Sequence, residues 1–488
     1  MKSIACIVLL LATAAAGADT GAAPGFRPGQ SGFRDEQGRH FIPHGFVTIT
    51  GDGMGEVRYT QEDYRKMALA GANFQVIRIF LGKLGGVPGR ESDHRYLEQL
   101  DEMVEFGRRA GMRSAFKLTV YDANPSQTVE FSGFKQQDWI DLYLDKDGRQ
   151  ELFIRAWRRV FERYRDDPSV FGYDLVNEPC ATREKTQIWE AEPRFKDSDT
   201  FQREYFVPFY RKLVDELHRI SPAGKLALFQ PYHVPPPVHR AMLFPCLPLS
   251  EPLRRDGIVF APHYYNDTPA EALKRYTADA VLNGAPMMFG EYGKATLART
   301  DREVAQQQAY AKVLIDTVTE FDRHAVGCVK AWWCGSRVFN QTVKTKPAAV
   351  TWALFYGDSP LGNAERKYIM DVIARPRPLV IAGEVAGFHF DFATRVFEMD
   401  FTPDSAKGES EIFVPVQRHY PDGFRIICHG LTLAFAPELP GGFRVVTDTG
   451  GSPAATVRWD AARSRVIVGS WGAPSGSTTL MIVPGVAD

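Results

Sequence analysis

The run FGYDLVNEP at residues 171–179 is a short apolar stretch that ends abruptly in asparagine, glutamate and proline. An amphipathic segment precedes this run, and its large apolar side chains recur at helical spacing: Phe153, Trp157, Val160, Phe161 and Tyr164. That spacing keeps one face of a helix apolar through several turns. A helix followed by a short apolar strand that closes on polar residues predicts one unit of an alternating α/β fold.

The same unit recurs from about residue 40 to residue 335. The predicted strands, numbered one to eight along the chain, are Phe41 to Ile49, Phe74 to Phe80, Arg113 to Val120, Val170 to Val176, Lys225 to Gln230, Gly257 to His263, Pro286 to Gly290 and Gly327 to Trp333. Another of the intervening helices opens with Thr60 and Asp63, a weak form of capping box. Eight such units predict a (β/α)8 TIM barrel, which takes about 250 residues and more with insertions. A doubly wound open sheet is the alternative.

The sequence pattern changes at Arg375-Pro-Arg-Pro378, where two prolines end the helical periodicity. Four alternating runs then predict an antiparallel β-sandwich: Arg395 to Phe401, Ser410 to Val414, Gly423 to Ile427 and Arg465 to Val468. We therefore divide the chain into a signal peptide at residues 1–18, a catalytic barrel at residues 19–375 and a C-terminal sandwich at residues 376–488.

The first residues have the pattern of an export signal. An apolar run from Ile4 to Ala16 follows Met-Lys, and Ala16-Gly-Ala18 has the small-x-small form of a cleavage site. The run falls short of the ~20 residues that span a bilayer. We expect a secreted or periplasmic protein cut near Ala18. Of its six cysteines, Cys6 leaves with the signal, so the odd number that remains predicts a free thiol or a pair between chains.

Composition excludes some classes of partner. The net charge of -1 gives no basic field for a nucleic acid. The cysteines lack the spacing of a zinc site, so we predict no metal and no organic cofactor. The oligomeric state stays open.

Two glutamates close apolar strands: Glu178 ends strand four, and Glu291 ends strand seven in the run MFGEYG. Reactive groups of such barrels project from the carboxyl ends of the strands. A buried carboxylate must keep its proton or have its charge compensated. Two carboxyls that face each other ~5–5.5 Å apart are what a retaining glycosidase needs.

These motifs resemble those of glycoside hydrolase family 5, in which an Asn-Glu-Pro triplet carries the acid/base after strand four. The resemblance covers most of the mature chain. It implies that Glu178 is the acid/base, that Glu291 is the nucleophile, and that Asn177 contacts the sugar.

Four further residues match the family's pattern at strand ends. Arg78 in VIRI corresponds to the arginine that keeps the nucleophile ionised. His263 and Tyr265 in APHYYN correspond to the histidine that lines the cleft and the tyrosine that orients the nucleophile. Trp333 corresponds to the tryptophan under the innermost sugar. Each residue type is commonly structural when taken singly, and their joint placement at strand ends favours the functional interpretation.

The segment after strand three departs from this pattern. Relatives carry an Asp-x-His-Gln-Asp stretch there, whereas this chain has LTVYD at residues 118–122, so that Val120 and Tyr121 stand at the histidine and glutamine positions. Asp122 still fits a partner for a sugar hydroxyl. Strand one also lacks a lysine that some endoglycoceramidases have.

The C-terminal part narrows the resemblance to endoglycoceramidases and related glycosphingolipid glycosidases. The runs that carry it are Arg375 to Pro378, Phe390 to Asp400, Ile412 to Pro415 and Arg418 to Phe424. The resemblance implies a glycolipid substrate such as a glycosylceramide and transient contact with a membrane or micelle surface. A proline-rich, apolar loop at residues 231–249 fits such an aglycone. A β-glucanase, mannanase or aryl-β-glucosidase, and a non-catalytic sugar- or lipid-binding protein, remain open alternatives.

Overall fold

The structure is a computed structural model. It describes residues 27–29, 32–50, 59–120, 134–182, 184, 186–221, 224–234, 246–294, 298, 301–333, 354–356, 364–428, 431–438, 442–447, 457–469 and 476–485. The predicted signal peptide lies outside these residues. No helix among them is long and apolar enough to cross a membrane.

A ring of parallel strands forms the first part of the fold, so the predicted TIM barrel is confirmed. Its strands one to eight are His44–Ile49, Phe74–Phe80, Arg113–Thr119, Val170–Asp174, Leu226–Phe229, Ile258–Phe260 with His263–Tyr264, Met288–Tyr292 and Gly327–Lys330. Each strand pairs in parallel with its neighbour along the chain, and strand eight returns to strand one. Every residue of strand two is buried, as expected for a sheet covered on both faces.

Strand six closes the ring in two pieces. Its first piece, Ile258–Phe260, pairs with strand five, and its second piece, His263–Tyr264, pairs with strand seven. Pro262 lies between them, and a proline has no N–H to offer the ladder. The break brings His263 level with Glu291 in the register of strand seven.

Helices cover the outside of the ring. The α-helices are Gln61–Leu69, His94–Arg109, Gln136–Tyr143, Arg149–Tyr164, Ile188–Ala191, Ser198–Phe201, Val207–Ile220, Pro269–Asn283, Val304–Arg323 and Lys367–Ile373. Short 3-10 turns span Lys146–Gly148 and Pro193–Phe195, and one π-helical turn spans Gln202–Phe206. The predicted capping box is present. The Thr60 side chain accepts from the backbone N–H of Asp63, and the Asp63 side chain accepts from the backbone N–H of Thr60.

Two antiparallel sheets form the second part. The larger contains Arg27–Gly29, Gly32–Arg34, His40–Phe41, Arg377–Ile381, Ser410–Phe413, Val457–Asp460 and Arg465–Val468. The smaller contains Gly383–Phe390, Phe397–Pro403, Phe424–Cys428, Leu431–Glu438, Gly442–Thr447 and Thr478–Pro484. A short helix, Val416–His419, and a 3-10 turn, Ser405–Lys407, connect strands. Side chains of both sheets share one apolar core, which confirms the predicted sandwich.

The N-terminal strands belong to this sandwich although they precede the barrel in sequence. Phe41 pairs with Val380 of the C-terminal part. The predicted strand one, residues 41–49, is therefore two strands in two sheets, and Pro43 separates them. The barrel strand then approaches its neighbour closely at Gly45, where a Cβ atom would lie 1.6 Å from the carbonyl oxygen of Phe74.

Candidate functional site

Glu178 and Glu291 meet at the carboxyl end of the barrel. The Glu291 side chain is 2% exposed and the Glu178 side chain 17% exposed. Their nearest carboxylate oxygens, together with a ring nitrogen of His263, lie within 4.8 Å of one another. Glu178 has a φ of 45°, in the left-handed region that a side chain disfavours. Such local strain is common where a side chain is held for function.

The carboxylate of Glu291 is surrounded by donors. The Tyr265 hydroxyl donates to Oε2, and Lys117 Nζ donates to Oε1 over 3.0 Å. Burial would raise the pKa of Glu291, but His263 when its ring is protonated, the charges of Lys117 and Arg78, and the hydrogen bond from Tyr265 lower it below its usual range. Glu291 is therefore ionised at neutral pH, as a nucleophile must be.

Lys117 is a site residue that the sequence analysis missed. It lies on strand three with a fully buried side chain, and its Nζ is 3.0 Å from both Glu291 Oε1 and the Gly290 carbonyl oxygen. The same Nζ is 3.0 Å from His263 Nε2 and 3.6 Å from Asp174 Oδ2. A charged residue inside an otherwise apolar strand was the available signal, because such a charge requires a buried partner.

Asp174 and Gln230 form a second layer below the glutamates. Gln230 Nε2 donates to both carboxylate oxygens of Asp174, over 3.0 and 2.8 Å. Its amide oxygen accepts from the backbone N–H of Glu178 over 3.0 Å. Burial raises the pKa of Asp174 to about 6, against the opposing charge of Lys117. This layer thus fixes the backbone that carries Glu178.

The Glu178 carboxylate faces two histidines. His263 Nδ1 lies 2.9 Å from Glu178 Oε1, and the ring of His233 packs edge-on against the ring of His263. Burial and the charge of Glu291 raise the pKa of Glu178, whereas the hydrogen bond with His263 and the electrostatic influence of His263 and His233 lower it; the net shift is downward. Glu178 therefore takes up a proton most readily in acidic solution.

Strand three presents Thr119 to the site. Thr119 Oγ1 accepts from Arg78 Nε over 2.6 Å, and Lys117 shares that inward face because side chains alternate along a strand. Val120 follows with the opposite parity. Val120, which the sequence predicts to stand at the family's histidine position, is fully buried. Arg78 acts on Glu291 through its charge and also stacks on the ring of Trp332, 4.9 Å from its centroid.

Asn177 and the two tryptophans complete the described part of the site. The Asn177 side chain is 1% exposed, and neither its Oδ1 nor its Nδ2 has a hydrogen-bond partner among the described residues. Trp333 is buried between the rings of Phe46 and Phe355. Its neighbour Trp332 contacts Arg78. Both tryptophans are therefore candidates for the position under the innermost sugar, which the sequence predicted for Trp333.

Some predicted features lie outside the described residues. These are Asp122, Cys334 and residues 235–245 of the apolar loop. The described cysteines, Cys180, Cys246, Cys328 and Cys428, are buried and unpaired.

Glu178, His263 and Glu291 also have the spacing to hold a metal ion. Lys117, however, already places a positive charge 3.0 Å from both Glu291 and His263. A cation between these groups would be repelled by that ammonium, so the donor set fits proton chemistry better than metal binding.

Comparison with known proteins agrees with this geometry. Residues 35–337 match the model of cellulase (glycosyl hydrolase family 5), and residues 375–457 match the glycoside hydrolase family 5 C-terminal domain. Endoglycoceramidase I of Rhodococcus hoagii (strain 103S) is 23% identical over 461 residues, which are 87% of this chain and 86% of that relative.

Solved structures share the whole fold. Endo-glycoceramidase II from Rhodococcus sp., in a complex with ganglioside GM3, has a TM-score of 0.62 at 16% identity and covers 93% of this chain and 100% of its own. Cryptococcus neoformans sterylglucosidase 1 has a TM-score of 0.65 at 11% identity, over 94% of this chain and 97% of its own.

Proposed function

This chain belongs to glycoside hydrolase family 5 and is a glycoside hydrolase, since the family model matches residues 35–337 of its 488; we propose that it cleaves a β-glycosidic bond with retention of configuration. The observation that carries the proposal is the short distance between Glu178 and Glu291. An oxygen of each lies within 4.8 Å of the other, whereas an inverting enzyme needs carboxyls ~6.5–9.5 Å apart to admit a water.

The roles of the two glutamates follow from their surroundings. Glu291 is ionised and receives donors on both oxygens, so it attacks the anomeric carbon. Glu178 is more exposed, and in its protonated form it donates its proton to the departing oxygen. These events give a glycosyl ester on Glu291 and a free alcohol. Glu178 then removes a proton from water, which attacks the anomeric carbon and releases the sugar and Glu291.

Asn177 supports this assignment as a sugar contact. Its buried amide has one acceptor and two N–H donors with no protein partner among the described residues. Leaving such groups unpaired costs about 1–3 kcal/mol each. A sugar hydroxyl beside the anomeric carbon would satisfy them, and Asp122 and Trp333 remain proposed sugar contacts on the sequence pattern.

We further propose a glycolipid substrate, because partly exposed apolar side chains are connected to Pro179, the residue after Glu178, through the segment that contains Tyr232 and His233. The backbone N–H of His233 donates to the Pro179 carbonyl over 3.0 Å, and that of Leu247 donates to the Tyr232 carbonyl over 3.1 Å. The ring of Trp189 lies 5.5 Å from that of Tyr232. Trp189 and Leu247 are partly exposed, so they offer an apolar surface to an aglycone.

The relatives named endoglycoceramidase support this substrate class. The apolar run at the N-terminus supports export of the protein, and an exported protein can meet lipid surfaces. Buried apolar area contributes ~25 cal/mol per Å², so an acyl chain can add binding energy while the sugar fixes orientation.

Hydrolysis of an activated aryl β-glycoside, followed by NMR at early times, tests the reaction. We expect the first-formed sugar to be the β-anomer. A first-formed α-anomer would refute retention, and no turnover on any β-glycoside would favour the non-catalytic alternative.

The substrate class is tested with a glycosylceramide in detergent micelles against the matching free oligosaccharide. We expect kcat/KM to favour the lipid by more than about tenfold, or about 1.4 kcal/mol in transition-state binding. Trp189→Ser should reduce that ratio and leave aryl-glycoside turnover unchanged. Val281→Ser, at an apolar residue 73% exposed on the helix Pro269–Asn283, is the matched control and should change neither.

Equal rates on the lipid and the free sugar would remove the glycolipid proposal and leave a β-glucanase, mannanase or aryl-β-glucosidase. A strong preference for a steryl glucoside would keep the amphiphilic substrate and replace the ceramide.

A further inference from the structure

Lys117 is linked to both glutamates, to one directly and to the other through a histidine ring. Its Nζ contacts Glu291 directly, and it contacts Glu178 through one intervening ring, that of His263. The side chains of Lys117 and His263 are 0% and 1% exposed. Water is therefore largely excluded from these contacts. Each hydrogen-bond donor in the group must then find its acceptor within the group.

The pairing of hydrogen-bond donors with acceptors determines which ring nitrogen of His263 carries a hydrogen. Two carboxylates, Asp174 and Glu291, lie within 3.6 and 3.0 Å of Lys117 Nζ and favour its ammonium form. An ammonium has three N–H donors and no acceptor. His263 Nε2, at 3.0 Å, must then be the unprotonated acceptor, which leaves the hydrogen on Nδ1.

We propose that Lys117 is a positioning residue that holds His263 in its Nδ1–H tautomer and so aims an N–H at the acid/base Glu178, while the same ammonium holds the nucleophile Glu291 ionised. The inference rests on the proposed function for the names of those two roles. The tautomer itself follows from the contacts alone.

The arrangement links the two steps of the reaction. In the free protein, Lys117 is attracted to the Glu291 carboxylate. When Glu291 becomes an ester it loses its charge, and Lys117 keeps Asp174 and the ring of His263 as its buried partners. His263 Nε2 thus remains an acceptor, and Nδ1–H remains directed at Glu178 Oε1 when Glu178 has become a carboxylate that must act as a base.

The first test needs no substrate, and it needs a variant only to assign the signals. In the full chain with 15N-labelled histidine, long-range 1H–15N correlation distinguishes protonated from unprotonated ring nitrogens, and loss of signals in His263→Asn assigns the ring. We expect Nδ1 to be protonated and Nε2 unprotonated. A protonated Nε2 in the wild-type chain at neutral pH would overturn the proposal.

The second test is Lys117→Met, which keeps a linear apolar side chain and removes the donor. We expect His263 to move to the Nε2–H form or to the doubly protonated form, and kcat/KM on an aryl β-glycoside to fall at least about 100-fold. Lys225→Met is the matched control. Lys225 is a buried lysine that bonds the backbone carbonyls of Asp167 and Val170, away from both glutamates, so its loss should leave the His263 signals in place.

A pH profile separates positioning from mere support of the fold. The charged or titratable groups that face Lys117 or lie near the carboxylate it holds are Arg78, Asp174, Glu178, His263, Tyr265, Glu291 and Lys330. Removing the ammonium removes one of the influences that lower the pKa of Glu291, so the acidic limb of kcat/KM should move to higher pH. A purely structural lysine would lower activity at every pH and leave that limb in place.

If Lys117→Met fails to fold, Lys117→Met/Asp174→Asn replaces it, because the second change neutralises the other carboxylate that would be left uncompensated. A folded variant with an unchanged His263 tautomer and an unmoved acidic limb would overturn the proposal. A wild-type chain that turns over no β-glycoside would instead remove the proposed function, and the tautomer measurement would still decide the role of Lys117.

Discussion

Two groups of buried charges differ in how completely they are paired. Where the barrel meets the C-terminal part, Arg375 donates two parallel hydrogen bonds to the carboxylate of Asp322, and both side chains are buried. The two form a bidentate pair, and a second buried cation, Arg377, lies close enough to feel the charge of both. At the carboxyl end of the barrel, Lys117 is shared by Asp174, Glu291 and a histidine ring.

The difference separates a structural charge pair from a functional one. The Asp322–Arg375 pair fills its own two hydrogen bonds with good bidentate geometry and includes neither Glu178 nor Glu291, so we expect it to contribute to the fold. Near the group around Lys117, the Asn177 amide has no hydrogen-bond partner among the described residues, and Glu291 is held ionised in a buried position. We propose that a substrate completes this arrangement. Changes at the first pair should therefore cost stability, and changes at the second should cost activity.

Glu291→Gln should give the largest effect on activity. It removes the proposed nucleophile but keeps the shape of the side chain, so kcat should fall at least about 10⁴-fold. The free energy of unfolding should change by no more than about 1 kcal/mol, because the variant also relieves a buried charge. Turnover of an aryl β-glycoside and urea unfolding measure the two. Substantial residual turnover would show that the nucleophile is elsewhere.

Glu178→Ala should give the next largest effect, and one that depends on the leaving group. Substrates with poor leaving groups should lose about 10²–10⁴-fold in rate, since only they need a proton in the first step. Substrates with good leaving groups should lose much less in that step. Equal losses across a series of aryl leaving groups would contradict the assignment of Glu178 as the acid/base.

Arg375→Met should have the opposite effect, with a large loss of stability and little change in kcat. Breaking a buried ion pair leaves the Asp322 carboxylate uncompensated and should cost about 3–5 kcal/mol in the free energy of unfolding. The kcat of the folded fraction should stay within about threefold of the wild type. The double variant Arg375→Met/Asp322→Leu is the control, and it should recover much of the loss because neither charge remains. A fall in kcat without a loss of stability would mean that the two groups are not separate in function.

The pH dependence of kcat/KM should show the smallest of these effects. It tests the roles of Glu178 and Glu291 in the group around Lys117. Activity requires Glu291 ionised and Glu178 protonated, and the pKa of each lies below its ordinary range. For a poor leaving group, kcat/KM should rise as the pH falls towards the pKa of Glu178 and then drop as Glu291 takes up its proton. For a good leaving group the loss on the alkaline side should be weaker. Identical alkaline limbs for both substrates would contradict this expectation.

Much of the barrel could be predicted because its strands are short, buried runs between amphipathic helices. Strand two has the predicted bounds, Phe74–Phe80, and the helix Arg149–Tyr164 buries all five predicted apolar residues. The glutamates could be predicted as well, because each is a charge at the end of an apolar run.

Two features were missed because they depend on contacts between distant segments. Lys117 interrupts strand three, and its importance appears only when strands four, six and seven are brought beside it. The pairing of Phe41 with Val380 has no local sign at all, since strand patterns reveal which residues are extended and not which partner they take.

The pairing of His40–Phe41 with Arg377–Ile381 has a consequence for how the chain is made. The first strand leaves the ribosome before the barrel, and its partner follows only after the barrel is complete. During that interval its backbone N–H and C=O groups form an open edge, which is a template for association with another chain. Pairing across so long a stretch is also slow. A chain ended after residue 375 would keep this edge open permanently, so we expect it to aggregate although it contains Glu178 and Glu291.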